Sequence, residues 1–193
     1  LTVLPGNRRL RFFDVKNRIS RVVLKEGFSA DAIETEIRVR GGASQGPFPP
    51  ITDADMEKGW FTEPLYDGRV LARISDRVRA NAYREQALRQ LNAWAAPTRE
   101  DWPLSVWWSQ NAVARAHLGA LLPQIDAIIS EEDVVPVQSS HGDFQPGNIL
   151  IQPKVHRVWL LDWEFFGVRS RHYDAIVLLA GLRWPAAAMS QVA

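Results

Sequence analysis

From Ser139 to Glu164 the chain leaves little freedom of fold. Ser139-Ser-His-Gly-Asp-Phe-Gln-Pro-Gly-Asn-Ile-Leu-Ile151 is followed by Gln152-Pro-Lys154, then by Val158-Trp-Leu-Leu161, and ends in Asp162-Trp-Glu164. Two short β-type runs joined by a proline-containing turn predict a hairpin. Asp143 and Asn148 then fall just before its first strand, and Asp162 falls at the end of its second. A carboxylate, an amide oxygen and a second carboxylate converge at one edge. Hard oxygen donors of this kind suit Mg²⁺, which keeps waters and completes its shell with substrate phosphates.

Composition bounds what can surround that edge. A chain of 193 residues is one domain or two small lobes sharing a cleft, and 46% hydrophobic with 23% charged residues is ordinary for a globular protein with a real core. A net charge of +1 argues against a nucleic-acid binder or a membrane-surface protein. Without cysteine, disulfides and thiolate zinc sites are excluded, and a reducing compartment is compatible. No apolar run approaches the roughly 20 residues of a bilayer span and no signal peptide is visible, so a cytoplasmic location is expected. The chain opens at Leu1 rather than Met, which reads as a cut or disordered N-terminus. Composition is silent on oligomeric state.

Residues 1 to 25 read as strands and turns: a turn at Pro5-Gly-Asn7, an extended run Leu10-Arg-Phe-Phe13, a turn at Lys16-Asn17, and a β-branched strand Val22-Val-Leu-Lys25. A lysine at such a strand end can act as a point charge for nucleotide phosphates, although most are solvated. Ser29 is a fair N-cap for a helix over roughly 30 to 40, with Ile33 and Ile37 on its buried face. Glu34 and Glu36 flank that face, and geometry does not choose between them as a partner for Lys25. A Gly/Pro/Ser-rich loop covers Gly41 to Pro50. Short strands are expected near Ile51 and at Gly59-Trp-Phe-Thr62. Glu63-Pro-Leu-Tyr-Asp-Gly68 is the expected linker between lobes, and in a nucleotide cleft the backbone at Pro64, Leu65 and Tyr66 would face the adenine.

From Val70 to about Ala96 the pattern is helical, with Leu71, Ile74, Val78, Tyr83, Leu88 and Leu91 apolar. Its arginines (Arg69, Arg73, Arg77, Arg79, Arg84, Arg89) form either a solvated face, the favoured reading, or a lure for an anionic substrate. A second helix is expected from Leu104 to Ser130, with Trp107, Trp108, Val113, Leu118, Leu121, Leu122, Ile125 and Ile129 as core and His117 structural. A last helix runs from Asp174, its N-cap, to Leu182, and Pro185 with an alanine-rich tail ends the chain.

His141-Gly-Asp-Phe-Gln-Pro-Gly-Asn-Ile-Leu150 with Leu161-Asp-Trp-Glu164 resembles the signature of the aminoglycoside phosphotransferase and choline kinase-like family, small-molecule kinases with the protein-kinase fold. Arg169 to Asp174, the Val22–Lys25 strand, the Glu34/Glu36 helix and Glu63–Gly68 fall in matching order. The resemblance implies an α+β, two-lobed protein-kinase-like fold: a small β-sheet N-lobe (residues 1–66) that binds nucleotide and a mainly helical catalytic C-lobe (residues 67–193). It implies an ATP- and Mg²⁺-dependent phosphotransferase acting on a hydroxyl of a small molecule (an aminoglycoside, a choline-like amino alcohol, a sugar or a related metabolite), with GTP not excluded as donor. Asp143 would be the base toward the acceptor hydroxyl, and Asn148 and Asp162 the Mg²⁺ ligands. Lys25 would contact the α/β-phosphates and pair with Glu36, which the family pattern favours over Glu34. His141 would brace the loop, Glu164 would touch a second metal or solvent, and Asp174 would tie its helix to the loop.

Two departures accompany the resemblance. The phosphate-covering loop is reduced to Pro5-Gly-Asn-Arg8, with its first strand expected to be missing or clipped. The chain also stops soon after Ala180, where the family continues with helices completing the acceptor pocket, so a truncated C-lobe is expected. Three other readings were weighed. A metal hydrolase built on His141, Asp143, His156 and His172 lacks any HxH or HExxH pairing. A protein kinase would carry His-Arg-Asp where this chain has His-Gly-Asp. A non-catalytic nucleotide-binding module would usually have lost one of Lys25, Asp143, Asn148 or Asp162.

Overall fold

Strand periodicity accounts for the N-terminal third. The computed structural model, which describes residues 1–6, 8–42, 46–111, 115–116, 118–130 and 132–180, forms a five-stranded antiparallel sheet there. Its strands are β1 (Thr2–Pro5), β2 (Arg9–Asp14), β3 (Ile19–Leu24), β4 (Asp53–Asp55) and β5 (Trp60–Pro64), in the order β1-β2-β3-β5-β4. The strand expected to be missing is therefore present: β1 pairs with β2 from Thr2↔Phe13 to Pro5↔Leu10. Asn7 lies outside the described residues.

Along β3, Ser20 and Val22 are buried while Arg21 between them is exposed, the period of two that a pleated strand imposes. Helix α1 (Asp31–Gly41) lies against the Val22 face. Its Ile33 joins Val22 and Phe61 in a small core, with Leu24, Ile37 and Ile51 packed around it. The helix starts one residue later than Ser29 as N-cap would give, yet Ser29 Oγ still accepts from Asp31 N–H at 3.3 Å.

The larger core lies C-terminal to the sheet. Strand β6 (Arg69–Val70) adds to β9 (Ile149–Gln152), which pairs with β10 (Arg157–Leu160), and this three-stranded sheet backs onto α2 (Arg77–Ala95). The expected helix from Val70 thus begins at Arg77, capped by Asp76, whose side chain accepts from Arg79 N–H at 3.1 Å. Its buried stripe is Ala80, Ala87, Leu91 and Ala95, and Val78 is 79% exposed. The small alanines let α2 approach the hairpin closely. On its outer surface Arg79 pairs with Asp76 and Arg89 with Glu85, as a solvated face requires.

Around Phe48 the core gathers Leu71, Leu91, Phe144, Ile149, Ile151, Val158, Leu160 and Trp163. Trp163, fully buried, meets Phe48 edge-on at 5.3 Å and Trp94 at 5.0 Å, the geometry ring quadrupoles favour.

The long helix expected from Leu104 to Ser130 is broken. It is replaced by α3 (Leu104–Gln110), a 3₁₀ turn at Gly119–Leu121 and α4 (Leu122–Ile128). Gly119 turns the chain with φ 49°, and Pro123 sits in the first turn of α4. None of the described residues expected as core there is buried, and Leu121 is 54% exposed. Instead Asp126 clasps the two helices, accepting from Trp108 Nε1 at 2.6 Å and Arg115 Nη1 at 2.8 Å. Val113 and His117 lie outside the described residues, as does everything after Ala180.

A third sheet, order β11-β8-β7, joins β7 (Glu100–Pro103), β8 (Val134–Ser140) and β11 (Gly167–Ser170). The C-terminal portion therefore carries two small sheets as well as helices. Helix α5 (Tyr173–Ala180) closes the description, with Asp174 in its first turn rather than at the cap. No described helix is long and apolar enough to cross a membrane.

Candidate active site

The hairpin forms as its sequence dictates. Ile149 to Gln152 pair with Leu160 to Arg157, and the turn between them carries His156 at φ 50°. Leu161 N–H donates to Asn148 O at 2.8 Å, so Asn148 and Asp162 lie at the same end of the ladder. Asp162 takes φ 70°, a left-handed conformation that aspartate tolerates better than most residues. His156 sits at the opposite end of the hairpin from His141, which removes the geometric basis for a hydrolase metal cluster.

Strand β8 delivers His141 to the loop. The ring is fully buried, 4.6 Å from Trp163 and 5.7 Å from Phe144. Its Nε2 is 2.8 Å from Leu161 O, and Asp143 N–H donates to Nδ1 at 3.3 Å. A carbonyl only accepts, so the proton is on Nε2 and the imidazole is neutral. Burial, outweighing the attraction of Asp174, holds its pKa below the usual value. His141 is a brace, as the sequence suggested.

Gly142 has φ 86°, and a Cβ there would collide with the carbonyl of Phe165. That collision is the physical reason for glycine between His141 and Asp143. Asp174 fixes the same turn, accepting from His141 N–H at 2.9 Å and Gly142 N–H at 3.1 Å. The expected tie between the last helix and the loop is thus a pair of carboxylate–backbone bonds.

Asp143 is held by its neighbours. Gln145 Nε2 donates to its Oδ2 at 2.8 Å, and Asn148 Nδ2 donates to the same oxygen at 3.0 Å. Among the described residues no hydrogen bond reaches Oδ1. Asn148, 8% exposed, also gives its amide N–H to Asp143 O at 2.9 Å, leaving its carbonyl oxygen as the ligand-capable atom. That oxygen and the Asp162 carboxylate, one-third exposed, are hard donors that fit Mg²⁺.

The N-terminal side differs from expectation. Glu36, not Glu34, faces inward, with 0% exposure. Its ion pairs run to Arg9 Nη1 and Arg40 Nη1, each at 2.6 Å. Arg40 also pairs with Glu63, which in turn pairs with Arg11. Burial alone would push the Glu36 pKa up, but Arg40, Arg9 and Arg11 hold it down at about 2.

Lys25 does not make the expected pair with Glu36. It lies beyond the end of β3, where its N–H donates to Arg8 O at 2.9 Å and its Nζ to Gly6 O at 2.7 Å. The reason is strand alternation: Val22 points at α1, so a residue three further on points away. Arg9, which pairs with Leu24 across the ladder, fills the place. Its guanidinium joins Glu36 to Asp162 and lies 3.5 Å from Glu164.

Of the linker residues, Pro64 has no N–H and Leu65 N–H donates to Arg18 O at 2.7 Å. The Tyr66 N–H enters none of the described backbone hydrogen bonds, and the Tyr66 ring stacks on Trp159 at 4.8 Å. Sequence reasoning missed Arg9, Arg40 and Glu63. The signal available for Arg40 was its i, i+4 spacing from Glu36 on the same face as Ile33 and Ile37.

Comparison with known proteins follows the same line. The APH phosphotransferase enzyme family matches residues 61–192. No curated protein sequence matches the chain. Among solved structures, a choline/ethanolamine kinase family protein from Mesorhizobium loti superposes with a TM-score of 0.63 at 16% identity, covering 99% of this chain and 67% of that one. An aminoglycoside phosphotransferase, APH(3'')-Id, from Streptomyces rimosus gives 0.60 at 17% identity, over 93% and 76% of the two chains. The choline kinase LicA from Streptococcus pneumoniae gives 0.56 at 16% identity, over 99% and 73%. At these identities the likeness is one of fold: two-lobed, α+β and protein-kinase-like.

Proposed function

Since this chain belongs to the APH phosphotransferase enzyme family, we propose that it moves the γ-phosphate of ATP, with Mg²⁺, to a hydroxyl of a small molecule. The observation that carries the reading is the state of Asp143. Its Oδ2 accepts from both Gln145 and Asn148 while Oδ1 has no partner among the described residues, so the carboxylate is held with one oxygen left for a further hydrogen bond. An acceptor hydroxyl would donate that bond to Oδ1, which aligns the oxygen for in-line attack and takes its proton as the new P–O bond forms.

Asn148 Oδ1 and Asp162 would hold Mg²⁺, which when bound neutralises charge developing on the phosphates. Asp174 and Gly142 keep Asp143 at a fixed distance from that edge. On the nucleotide side, Tyr66 N–H would receive the base beside Leu65 and Pro64. Lys25, by gripping Gly6 O, would hold the β1–β2 turn over the phosphates. Glu36 acts on the nucleotide only through the arginines it orients.

Choline-like amino alcohols, aminoglycosides, sugars and related metabolites are the acceptor classes. An ATP donor also implies a cytoplasmic protein. The deciding experiment is a screen of hydroxyl acceptors with γ-labelled ATP, repeated with Asp143→Ala. The reading expects transfer to at least one acceptor and its loss in the variant. Full transfer by Asp143→Ala would remove the proposed base, and absence of any Mg²⁺-dependent nucleotide binding would favour a binding-inert relative.

A further inference from the structure

The β2–β3 register puts a cation between Glu36 and Asp162, a place that the sequence pattern assigned to another residue. Arg9 is the first residue of β2, and its side chain is 12% exposed. One guanidinium nitrogen, Nη1, pairs with Glu36 Oε2 at 2.6 Å. The other, Nη2, pairs with Asp162 Oδ1 and approaches Glu164 Oε2 at 3.5 Å. A planar fork with donors on both ends is suited to this task, and a lysine is not. Arg9 thus ties α1 to the end of the catalytic hairpin, and it does so on the carboxylate that the proposed metal would use.

We infer that Arg9 is the exchangeable cation of the active site. It neutralises Asp162 when no nucleotide is bound, and it turns to the nucleotide phosphates once Mg²⁺ takes that carboxylate. The inference rests on the phosphotransferase reading above and goes beyond it by moving the phosphate-facing charge from Lys25, just past β3, to Arg9 on β2. Charge balance supports it. Glu36 retains Arg40 at 2.6 Å when Arg9 turns away, so α1 keeps one buried ion pair throughout. Asp162, in contrast, has Arg9 as its cation among the described ion pairs, and without Arg9 that carboxylate is open to a metal.

The consequence is a pair of effects of opposite sign, which a purely structural role would not produce. Arg9→Gln should weaken a fluorescent ATP analogue by about tenfold, the worth of one charge-assisted hydrogen bond to phosphate. The same variant should bind Mn²⁺ more tightly than wild type without nucleotide, read as the free-ion signal in electron paramagnetic resonance. Lys25→Gln should weaken the analogue by less and leave Mn²⁺ binding where it was. Arg9→Lys should recover part of the nucleotide affinity, since it restores charge without the fork.

Loss of both nucleotide and Mn²⁺ binding in Arg9→Gln would make Arg9 merely structural and overturn the inference. So would an unchanged nucleotide affinity in that variant, or a Lys25→Gln loss as large as that of Arg9→Gln. Wild-type protein that binds no nucleotide at all would overturn the functional reading and this inference together, which keeps the two failures distinguishable.

Discussion

Around Glu36, charged side chains alternate in sign within the interior: Arg9, Glu36, Arg40, Glu63 and Arg11. Around Asp143 the charge is instead held by amide groups and backbone N–H donors, above a floor of Trp163 and Phe144. The first arrangement is stiff at its centre, because Glu36, Arg40 and Glu63 have been taken out of water and depend on one another. The second leaves one carboxylate oxygen without a hydrogen-bond partner among the described residues. One arrangement uses electrostatics to hold a helix, and the other uses hydrogen bonds to fix the direction of a carboxylate.

The comparison can be broken by substitutions that should act differently on the two halves. Asp143→Asn should lower phosphoryl transfer by about a hundredfold to ten-thousandfold, with an unchanged melting temperature. A parallel loss of stability would show that Asp143 also supports the fold. Arg40→Ala should do the reverse, leaving Glu36 and Glu63 buried without their shared partner at a cost of about 3–5 kcal/mol. Chemical unfolding measures that cost, and a loss below about 1 kcal/mol would mean that the network behaves like a surface ion pair.

Gly142→Ala places a methyl against the Phe165 carbonyl at a positive φ, and should cost about 1–3 kcal/mol. Because the strain falls between His141 and Asp143, transfer activity should drop more than stability does. Equal losses would separate the Gly142 turn from the aim of Asp143.

Acid titration sharpens the contrast with the smallest signal. Glu36 is held at about 2 against an ordinary 4.5, so its contribution is complete above the unfolded value and fades as pH falls from 4.5 towards 2. His141 is lowered from 6.5 by burial. The unfolded state therefore protonates first, and stability declines as pH drops below 6.5. Urea midpoints should fall in these two stages, and Glu36→Gln should remove the acidic one alone.

The catalytic half was legible because its determinants are local. A proline turn between two β-type runs fixes the hairpin, and the hairpin fixes Asn148 and Asp162 within fourteen positions of one another. The charged half was not, because which side chain faces Glu36 depends on the pairing of Arg9 with Leu24, fifteen residues apart. Lys25 had the right chemistry but falls one residue past the end of β3, where it reaches Gly6 rather than Glu36. Sheet β11-β8-β7 was missed for the same reason: nothing local marks Gly167–Ser170 as a strand, and pairing with Val137 to Ser140 is what makes it one. The helix expected over 104–130 ends first at Asn111 and turns again at Gly119 with its positive φ, breaks that the apolar spacing outweighed in the reading.

Strands β5 and β6 belong to different sheets yet are separated by four residues, 65–68. At one end Leu65 is anchored to Arg18, and at the other a side chain on Gly68 would stand 2.6 Å from Ile151 O. Between them Tyr66 lies flat on Trp159. A connection so short and clamped at both ends has few torsions left to turn. Any opening of the cleft should therefore be a rocking about this segment rather than a sliding of one half over the other. The widest excursion would come far from the pivot, at the end of the sheet where β1 meets β2.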